Sequence, residues 1–229
     1  MVTGIIGAME SEISSIRETM EDVRVTTVSG MEFAEGVIGG SEVVVVQCGM
    51  GKVNAGICTQ TLITRFGVER IINTGVAGNL TEELTIGDFV VSTDAVQHDF
   101  DVSPIGFEKG EIPYTGLSAF PANEDLRALA VRAVAEAAPT AKVLEGRVCS
   151  GDQFISEPEQ AKAIRSATGG LCAEMEGGAI AQVCYLNQTP YVIIRAISDD
   201  SDDMSFDQFQ AAAAAQCAAA TLAMVAAMA

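Results

Sequence analysis

Short apolar runs rich in Val and Ile alternate along the chain with longer amphipathic segments. The runs predict strands that are buried on both faces, and the amphipathic segments predict helices. Strands are predicted at Val2–Gly7, Glu32–Ile38, Glu42–Cys48, Arg70–Thr74, Asp88–Ser92, Lys142–Cys149 and Tyr191–Ile194. Helices are predicted at Glu10–Met20, Val53–Phe66, Glu124–Ala137, Glu157–Arg165 and Met175–Leu186, and Ser205 is expected to cap a last, Ala-rich helix.

This alternation runs through all 229 residues without a repeat or a linker-like stretch. It predicts a single α/β domain, residues 1–229, with a central mixed, twisted β-sheet flanked by helices. In such sheets, ligands bind at the carboxyl ends of the strands. The segments of interest are therefore interpreted as loops that follow Ile6, Cys48, Thr74, Cys149 and Ile194.

The charge of the chain limits its partners. Acidic residues number 31 against 13 basic ones, which gives a formal net charge of −18. A field of this sign repels polyanions, so nucleic acid is not an expected partner. The six cysteines form no CxxC pair and His98 is the single histidine. We interpret the cysteines as reduced core thiols and expect no metal site.

The two ends of the chain raise the question of a membrane. The tail from Ala211 to Ala229 is as long as a membrane span, with only Gln216 and Thr221 polar. Alanine is weakly hydrophobic and no basic flank or aromatic belt follows, so we interpret the tail as a buried helix. The N-terminus has no basic region before its apolar run and is interpreted as a strand, not a signal peptide. A cytoplasmic protein without membrane contact is expected.

Familiar nucleotide-binding motifs do not fit this chain. Gly51-Lys52 is followed by Val53 and lacks the earlier glycine of a phosphate-binding P-loop. Gly4-Ile-Ile-Gly7 lacks the spacing of a dinucleotide-binding fingerprint. Neither ATP nor NAD is indicated.

Carboxylates stand at the ends of the predicted elements, namely Glu12, Glu174, Glu176 and Asp199. One carboxyl group that donates a proton and one that activates water are what hydrolysis of a glycosidic bond needs, and Asp199 and Glu12 could divide that work. A third, Glu176, is placed to accept hydrogen bonds from a vicinal diol. The alternative for Glu12 is a helix cap, because an acid in the first turn is favoured by the helix dipole.

A set of motifs runs in a fixed order over nearly the whole chain: Gly4-Ile-Ile-Gly-Ala-Met-Glu-x-Glu12, Gly49-x-Gly-Lys-Val-Asn-Ala55, Ile72-Asn-Thr-Gly-x-Ala-Gly78, Gly87-Asp-x-Val-Val-Ser92, Ser150-Gly-Asp-x-Phe-Ile155, Glu174-Met-Glu-Gly177, Arg195-Ala-Ile-Ser-Asp199 and Ser205-Phe-Asp-x-Phe209. As a set they resemble the bacterial 5′-methylthioadenosine/S-adenosylhomocysteine nucleosidases. Several are shared with the wider nucleoside phosphorylase superfamily. The resemblance implies a nucleoside phosphorylase-like fold and cofactor-free hydrolysis of 5′-methylthioadenosine, S-adenosylhomocysteine and 5′-deoxyadenosine, which releases adenine.

The resemblance also implies a role for each of the polar site residues. Asp199 would protonate adenine N7, and Glu12 would deprotonate the water that attacks the anomeric carbon. Glu176 would bind the ribose 2′- and 3′-hydroxyls with Met175 beneath the sugar. Arg195 would orient the acidic cluster.

The remaining site residues follow from the same resemblance. Phe154 would stack on adenine while the backbone of Ile155 reads its Watson–Crick edge. The apolar pocket for the 5′-substituent is matched by Met9, Met50 and Phe206, and further substrate contacts by Val76, Ala77, Gly78 and Ser198. In a homodimer, the neighbouring subunit would complete this pocket with Ile105, Phe107 and Pro113.

Three departures and three alternatives remain. Position 76 is Val where the family often has Ser, and Lys109 and the Ile105 side chain could alter the 5′ pocket. The acidic run Asp200-Ser-Asp-Asp203 either raises the proton affinity of Asp199 or is a solvated loop. The alternatives are an aminofutalosine nucleosidase, a phosphate-dependent nucleoside phosphorylase and a non-catalytic nucleoside-binding protein. Phosphorolysis is disfavoured because Glu12 would repel phosphate and Met9–Ser15 contains no basic residue.

Overall fold

The computed structural model describes residues 1–200 and 203–229, and the side chains of all of these except residues 203–205. The strands in this part of the chain are β1 (Thr3–Gly7), β2 (Glu21–Val28), β3 (Met31–Ile38), β4 (Ser41–Gln47), β5 (Arg70–Asn79), β6 (Phe89–Gln97), β7 (Ala119–Pro121), β8 (Val143–Ser150), β9 (Cys172–Glu174) and β10 (Tyr191–Asp199). The helices are α1 (Glu10–Glu18), α2 (Lys52–Arg65), α3 (Glu124–Ala137), α4 (Pro158–Thr168), α5 (Gly177–Asn187) and α6 (Asp203–Ala226). Because α6 begins at Asp203, Ser205 lies within the helix and is not its N-cap residue, so that prediction is wrong. Most of the acidic run that ends at Asp203 lies outside the described side chains.

All strands in the described residues belong to one mixed sheet, as predicted. Strand β5 is its centre, parallel to β1 and β10 and antiparallel to β9. Because β10 also pairs with β6, β6 with β8, and β8 with β9, these strands and β5 close into a ring. On the other side of β1 the sheet continues through β4 and β3 to the edge strand β2.

Helices cover both faces of this sheet. Ile5 packs into a cluster with residues of α1, α3 and α6, and the next residue, Ile6, packs into a cluster with residues of α2 and α5. Both isoleucines are fully buried. Strands buried on both faces need apolar residues at consecutive positions, which is the physical reason for the Val- and Ile-rich runs.

The C-terminal helix α6 packs against strands β5 and β10. Phe206–Ala226 is long and apolar enough to cross a membrane by length and composition, and 44% of its most apolar window is buried inside the protein. Two polar side chains join it to the sheet, because Thr221 Oγ1 donates to Thr74 Oγ1 at 2.9 Å and Gly75 N donates to Cys217 Sγ at 3.3 Å. The absence of membrane contact stays a prediction.

Several predicted boundaries are wrong in a way that matters for the site. The segments 75–78 and 195–199 were interpreted as loops but are the last parts of β5 and β10, which pair with each other in parallel. The register shifts between Ile197 and Asp199, so that Ser198 is an additional residue, a β-bulge. Strands β2, β7 and β9 were not predicted, and α5 begins at Gly177 instead of Met175. The six cysteines are all buried and free, as predicted.

Candidate active site

A cavity of about 580 Å³, including its part open to solvent, lies at the carboxyl ends of β1, β5, β9 and β10. It contains most of the residues expected at a site, which are Met9, Glu12, Met50, Val76, Ala77, Gly78, Phe154, Ile155, Met175, Glu176, Ser198, Asp199 and Phe206. Ala8, Gln153, Ala173 and Glu174 complete its lining. The fold therefore brings together residues that are up to 198 positions apart in the chain, from Ala8 to Phe206.

Glu12 lies in the first turn of α1 and is 2% exposed. Its Oε2 accepts hydrogen bonds from the backbone N–H groups of Ala8, at 2.7 Å, and Met9, at 2.9 Å. Its Oε1 accepts one from Val76 N at 2.9 Å. The contact with Met9 is the expected helix-capping bond, but the contact with Val76 joins α1 to the neighbouring strand β5. Glu12 is thus both a cap and a cavity wall.

Gly75 gives the charged groups of the site room to approach each other. A Cβ atom at this position would overlap both Arg195 Nη1 and Glu12 Oε1. The glycine therefore lets a guanidinium group and a carboxylate lie against the backbone of β5. The requirement for glycine at this position is steric.

Arg195 is fully buried and does not line the cavity. Its Nη2 donates to Asn73 Oδ1 at 2.7 Å and to Glu174 Oε2, while Glu176 Oε2 lies 3.8 Å away. The pKa of Arg195 is raised: burial lowers it, but the carboxylates of Glu174, Glu12 and Glu176 outweigh burial. Arg195 is thus the positive charge that permits several buried acids in one place.

Glu174 accepts hydrogen bonds from four groups in the described part of the protein. Oε1 accepts from the Ser150 hydroxyl, and Oε2 accepts from Arg195, from Glu176 N at 3.1 Å and from Gly177 N at 2.7 Å. It therefore holds the N-terminus of α5 in place. Glu176, two residues further along the chain, has a different environment.

Glu176 is the N-cap residue of α5 and is 4% exposed. Its Oε1 accepts a hydrogen bond from Gly51 N at 2.8 Å. Burial and the nearby Glu174 carboxylate raise the pKa of Glu176 to about 8, against the smaller lowering effects of Arg195 and the Gly51 N–H. At neutral pH the unliganded protein therefore keeps a large fraction of this carboxyl group protonated.

Asp199 ends strand β10, directly after the bulge, and is 2% exposed. Its Oδ2 accepts a hydrogen bond from the Ser198 hydroxyl at 2.7 Å. The bulge places two consecutive residues, Ser198 and Asp199, in the lining of the same cavity. In a regular strand, neighbouring side chains would point to opposite faces.

The remaining wall of the cavity is apolar. Phe154 and Phe206 meet edge to face with ring centroids 5.2 Å apart, and Phe154 is 47% exposed. Ile155 is buried beneath them in a cluster with α4. An edge-to-face aromatic pair next to buried aliphatic groups is suited to a flat, uncharged ring.

Four of the expected site residues do not line the cavity in this single chain. Arg195 lies behind it, as described. Ile105, Phe107 and Pro113 lie in the segment between β6 and β7, where Ile105 is 73% exposed. Their expected role at the site of a neighbouring subunit is not tested by one chain. Conversely, Asn73, Ser150 and Gly75 support the site without having been singled out individually; the glycine-rich and polar motifs around them were the only signal.

Comparison with known proteins identifies the architecture. Residues 2–226 match the model of the phosphorylase superfamily. A 5′-methylthioadenosine/S-adenosylhomocysteine nucleosidase of Bacillus thuringiensis is 42% identical over 214 residues, which is 91% of either chain.

Solved structures give the same result. The nucleosidase of this name from Neisseria meningitidis, in complex with methylthio-immucillin-A, has a TM-score of 0.94 and 38% identity over 99% of both chains. A futalosine hydrolase of Helicobacter pylori has a TM-score of 0.92 and 35% identity, covering 98% of this chain and 97% of its own. The chain therefore belongs to the phosphorylase superfamily and, within it, to the 5′-methylthioadenosine/S-adenosylhomocysteine nucleosidases.

Proposed function

We propose that this chain hydrolyses the N-glycosidic bond of 5′-methylthioadenosine and S-adenosylhomocysteine, and also of 5′-deoxyadenosine. The products are adenine and the 5′-substituted ribose. The reaction passes through an oxocarbenium-like transition state, in which the sugar carries positive charge and the base departs. Acidic side chains around one cavity suit both halves of this reaction, since they protonate the base and stabilise the cationic sugar.

The observation that carries this proposal is the charge of the cavity lining. Glu12, Glu176 and Asp199 face one cavity, and none of the described residues that line it is basic. The nearest guanidinium group, that of Arg195, is engaged with Glu174 behind the wall. A phosphorolytic enzyme must hold a phosphate anion beside the anomeric carbon, which this lining disfavours, so water is the nucleophile.

Glu12 acts as the general base through Oε1. Each carboxylate oxygen has two lone pairs, and the two on Oε2 are used by Ala8 N and Met9 N. Oε1 accepts only the Val76 N–H among the hydrogen bonds of the described residues, so it retains a lone pair for water. The backbone contacts fix the carboxylate, which is what base catalysis in a defined direction requires.

Asp199 acts as the general acid toward adenine N7. Adenine leaves poorly as an anion, and a proton at N7 allows it to leave as a neutral base. The hydroxyl of Ser198 donates to Oδ2 of Asp199 at 2.7 Å and orients the carboxyl group. Phe154 stacks on the base, and Ile155 reads its Watson–Crick edge through the backbone.

Glu176 binds the 2′- and 3′-hydroxyls of the ribose, with Met175 beneath the sugar. Hydroxyl donors and a cationic ring both favour the ionised carboxylate, and this contact strengthens as positive charge develops. The raised pKa of about 8 means that binding the sugar displaces a proton from Glu176 at neutral pH. The other contacts with the nucleoside come from Val76, Ala77, Gly78 and Ser198.

A second candidate substrate is an aminofutalosine, an adenosine with a carbon-linked 5′ extension. It is favoured by one observation, the similarity to a Helicobacter pylori protein described as futalosine hydrolase. The 5′ end of the cavity is apolar, with Met9, Met50 and Phe206. Methionine side chains adapt to a thioether, which favours the methylthio substrate. Ratios of kcat/KM for the two substrates decide between them.

The protein is proposed to work as a cytoplasmic homodimer in methionine salvage, without a nucleic-acid or membrane partner and without a metal or organic cofactor. A dimer is supported by the apolar side chains that α2 and its preceding loop expose, since Met50 is 63%, Val53 72% and Ile57 42% exposed. In the dimer, Ile105, Phe107 and Pro113 of one subunit would complete the 5′ pocket of the other. Sedimentation of the intact protein, with and without Ile105→Asp, tests this arrangement.

One experiment tests the reaction itself. The protein is incubated with 5′-methylthioadenosine in the presence and absence of phosphate, and the sugar product is identified by mass spectrometry. Hydrolysis gives adenine and free 5-methylthioribose at a rate that phosphate does not change. Formation of the sugar 1-phosphate, or no cleavage at all, would contradict the proposal.

A further inference from the structure

Three charged residues behind the cavity form a closed cycle of hydrogen bonds. Lys52 Nζ donates to Asp99 Oδ1 at 2.6 Å, and Asp99 Oδ2 accepts from Asp152 N at 2.9 Å. Asp152 Oδ1 in turn accepts from the backbone N of Lys52 at 2.8 Å. The cycle connects the first residue of α2, the chain after β6 and the segment after β8.

The ion pair in this cycle is well shielded. The side chains of Lys52 and Asp99 are 17% and 18% exposed. Burial raises the pKa of Asp99, but the hydrogen bonds from Lys52 and from Asp152 N outweigh it, so the pKa is lowered. A shielded ion pair whose two residues make further hydrogen bonds holds its two chain segments at a fixed distance more firmly than an exposed ion pair does.

The cycle lies between the two parts of the substrate site. Gly51, directly before Lys52, donates its N–H to the sugar-binding Glu176 at 2.8 Å. Gly51 has φ +97°, a conformation that other residues rarely adopt, and a Cβ there would lie 3.1 Å from Asp152 Oδ1. On the other side, Asp152 is followed two residues later by Phe154. Asp152 therefore joins the two segments directly.

We propose that Lys52, Asp99 and Asp152 form a positioning ring that sets the adenine-binding segment 153–155 at a fixed distance from the sugar-binding carboxylate of Glu176. None of the three lines the catalytic cavity or touches the reacting atoms. The ring acts through Gly51 on one side and through Phe154 on the other. This inference rests on the proposed roles of Glu176 and Phe154 in nucleoside hydrolysis.

The test uses Asp152, whose side chain is exposed and lies outside the core. Asp152→Ala removes the acceptor for Lys52 N, whereas Asp152→Asn keeps an oxygen at the same place. We expect kcat/KM for 5′-methylthioadenosine to fall about tenfold in Asp152→Ala, the effect of one lost hydrogen bond to a charged group, and to stay within about twofold in Asp152→Asn. Glu136→Ala, which removes an exposed acid of α3, is the control for the change in net charge.

A pH profile separates positioning from general loss of stability. Without the ring, the Gly51 N–H that lowers the pKa of Glu176 is no longer held in place, so the rising limb of kcat/KM in Asp152→Ala is expected at higher pH than in the wild type. The other groups that face Glu176 are the same in both proteins, namely Glu174, Arg195, Glu12 and Cys48.

The outcomes are distinct. The positioning role of the ring would be refuted if kcat/KM and the pH profile were the same in the wild type, Asp152→Ala and Asp152→Asn. It would also be refuted if both variants lost the same activity. Lys52→Met provides a second measurement if Asp152→Ala proves unstable in thermal melts, and it should show the same shift of the pH profile. A wild-type protein that does not cleave 5′-methylthioadenosine would instead overturn the proposed function.

Discussion

Arg195 donates a hydrogen bond to Glu174 and not to Glu176, although only Met175 separates the two acids. Its Nη2 is hydrogen-bonded to Glu174 Oε2, whereas the distance to Glu176 Oε2 is 3.8 Å. One acid is neutralised and structural. The other remains available to a ligand, and its ionisation in the empty protein is unfavourable because a second negative charge would be buried beside the first.

The first prediction concerns the pH dependence of stability. The folded-state pKa of Glu176 is about 8, raised from 4.5, so between these values the folded protein holds a proton that the unfolded chain releases. Stability contributed by this group is therefore full below pH 4.5 and is lost as the pH rises through 8. Glu176→Gln removes this loss. The melting temperature of the variant minus that of the wild type should therefore increase by several degrees between pH 5 and pH 8.

The same variant should be almost inactive. Loss of a charged contact with the developing cation lowers kcat/KM for 5′-methylthioadenosine by ~10²–10³-fold. Glu136→Gln, an exposed acid of α3, is the matched control and should show neither effect. A constant difference in melting temperature across this pH range would contradict the assignment of the raised pKa to Glu176.

The second prediction concerns the base. Glu12→Gln should lose ~10²–10⁴-fold in turnover, because an amide cannot take a proton from water. It should also lower the melting temperature, since both carboxylate oxygens accept backbone N–H groups and an amide must turn its NH₂ toward one of them. Glu10→Gln, an exposed residue in the same helical turn, is the control. Normal turnover at a reduced melting temperature would mean that Glu12 is only a cap.

The third prediction concerns the acid. Asp199→Asn should cleave adenine nucleosides ~10²–10⁴-fold more slowly, because Asn can donate a hydrogen bond to N7 but cannot transfer a proton. A 4-nitrophenyl thioriboside, whose leaving group needs no protonation, should regain much of the lost rate. Asp207→Asn, exposed on α6, is the control. Equal slowing of both substrates would place the acid at another residue.

The fourth prediction concerns Gly75. Gly75→Ala places a methyl group against Arg195 Nη1 and Glu12 Oε1, which must move apart. We expect a loss of about 1–3 kcal/mol in the free energy of unfolding, together with most of the activity. Gly56→Ala is the matched control, because Gly56 lies within α2 with only Val183 Cγ2 at 4.0 Å, and alanine favours a helix. A variant of Gly75 with unchanged stability would show that the two charged groups are not confined there.

The fold class and the site composition could be predicted from the sequence because both depend on local patterns. Apolar runs identify strands buried on both faces, and the resemblance of the motifs to those of a known family identifies most of the site residues. The ends of the strands could not be predicted. Gly75–Gly78 and Arg195–Asp199 contain glycine and charged residues, which are typical of loops, yet they form strands because β5 and β10 pair with each other over these residues.

The different environments of the acids also depended on the tertiary structure. Nothing in the sequence around Glu174 and Glu176 indicates which one Arg195 neutralises, because Arg195 follows about 20 residues later and reaches Glu174 only through the pairing of β10 beside β5. Similarly, Asp152 and Asp99 are 53 residues apart and meet only when the segment after β8 lies beside that after β6.

Because of the bulge at Ser198, the position of Asp199 depends on the number of residues in β10 as well as on their types. Ile197 pairs with Ala77 and Asp199 with Gly78, so one additional residue in β10 determines the direction of the carboxyl group. Deletion of Ser198 would keep the aspartate but would restore the regular alternation of side chains along β10. The aspartate side chain would then turn away from its present orientation. Libraries of single-residue deletions and insertions in β10 would therefore sample changes in catalysis that no amino-acid substitution at position 199 can produce.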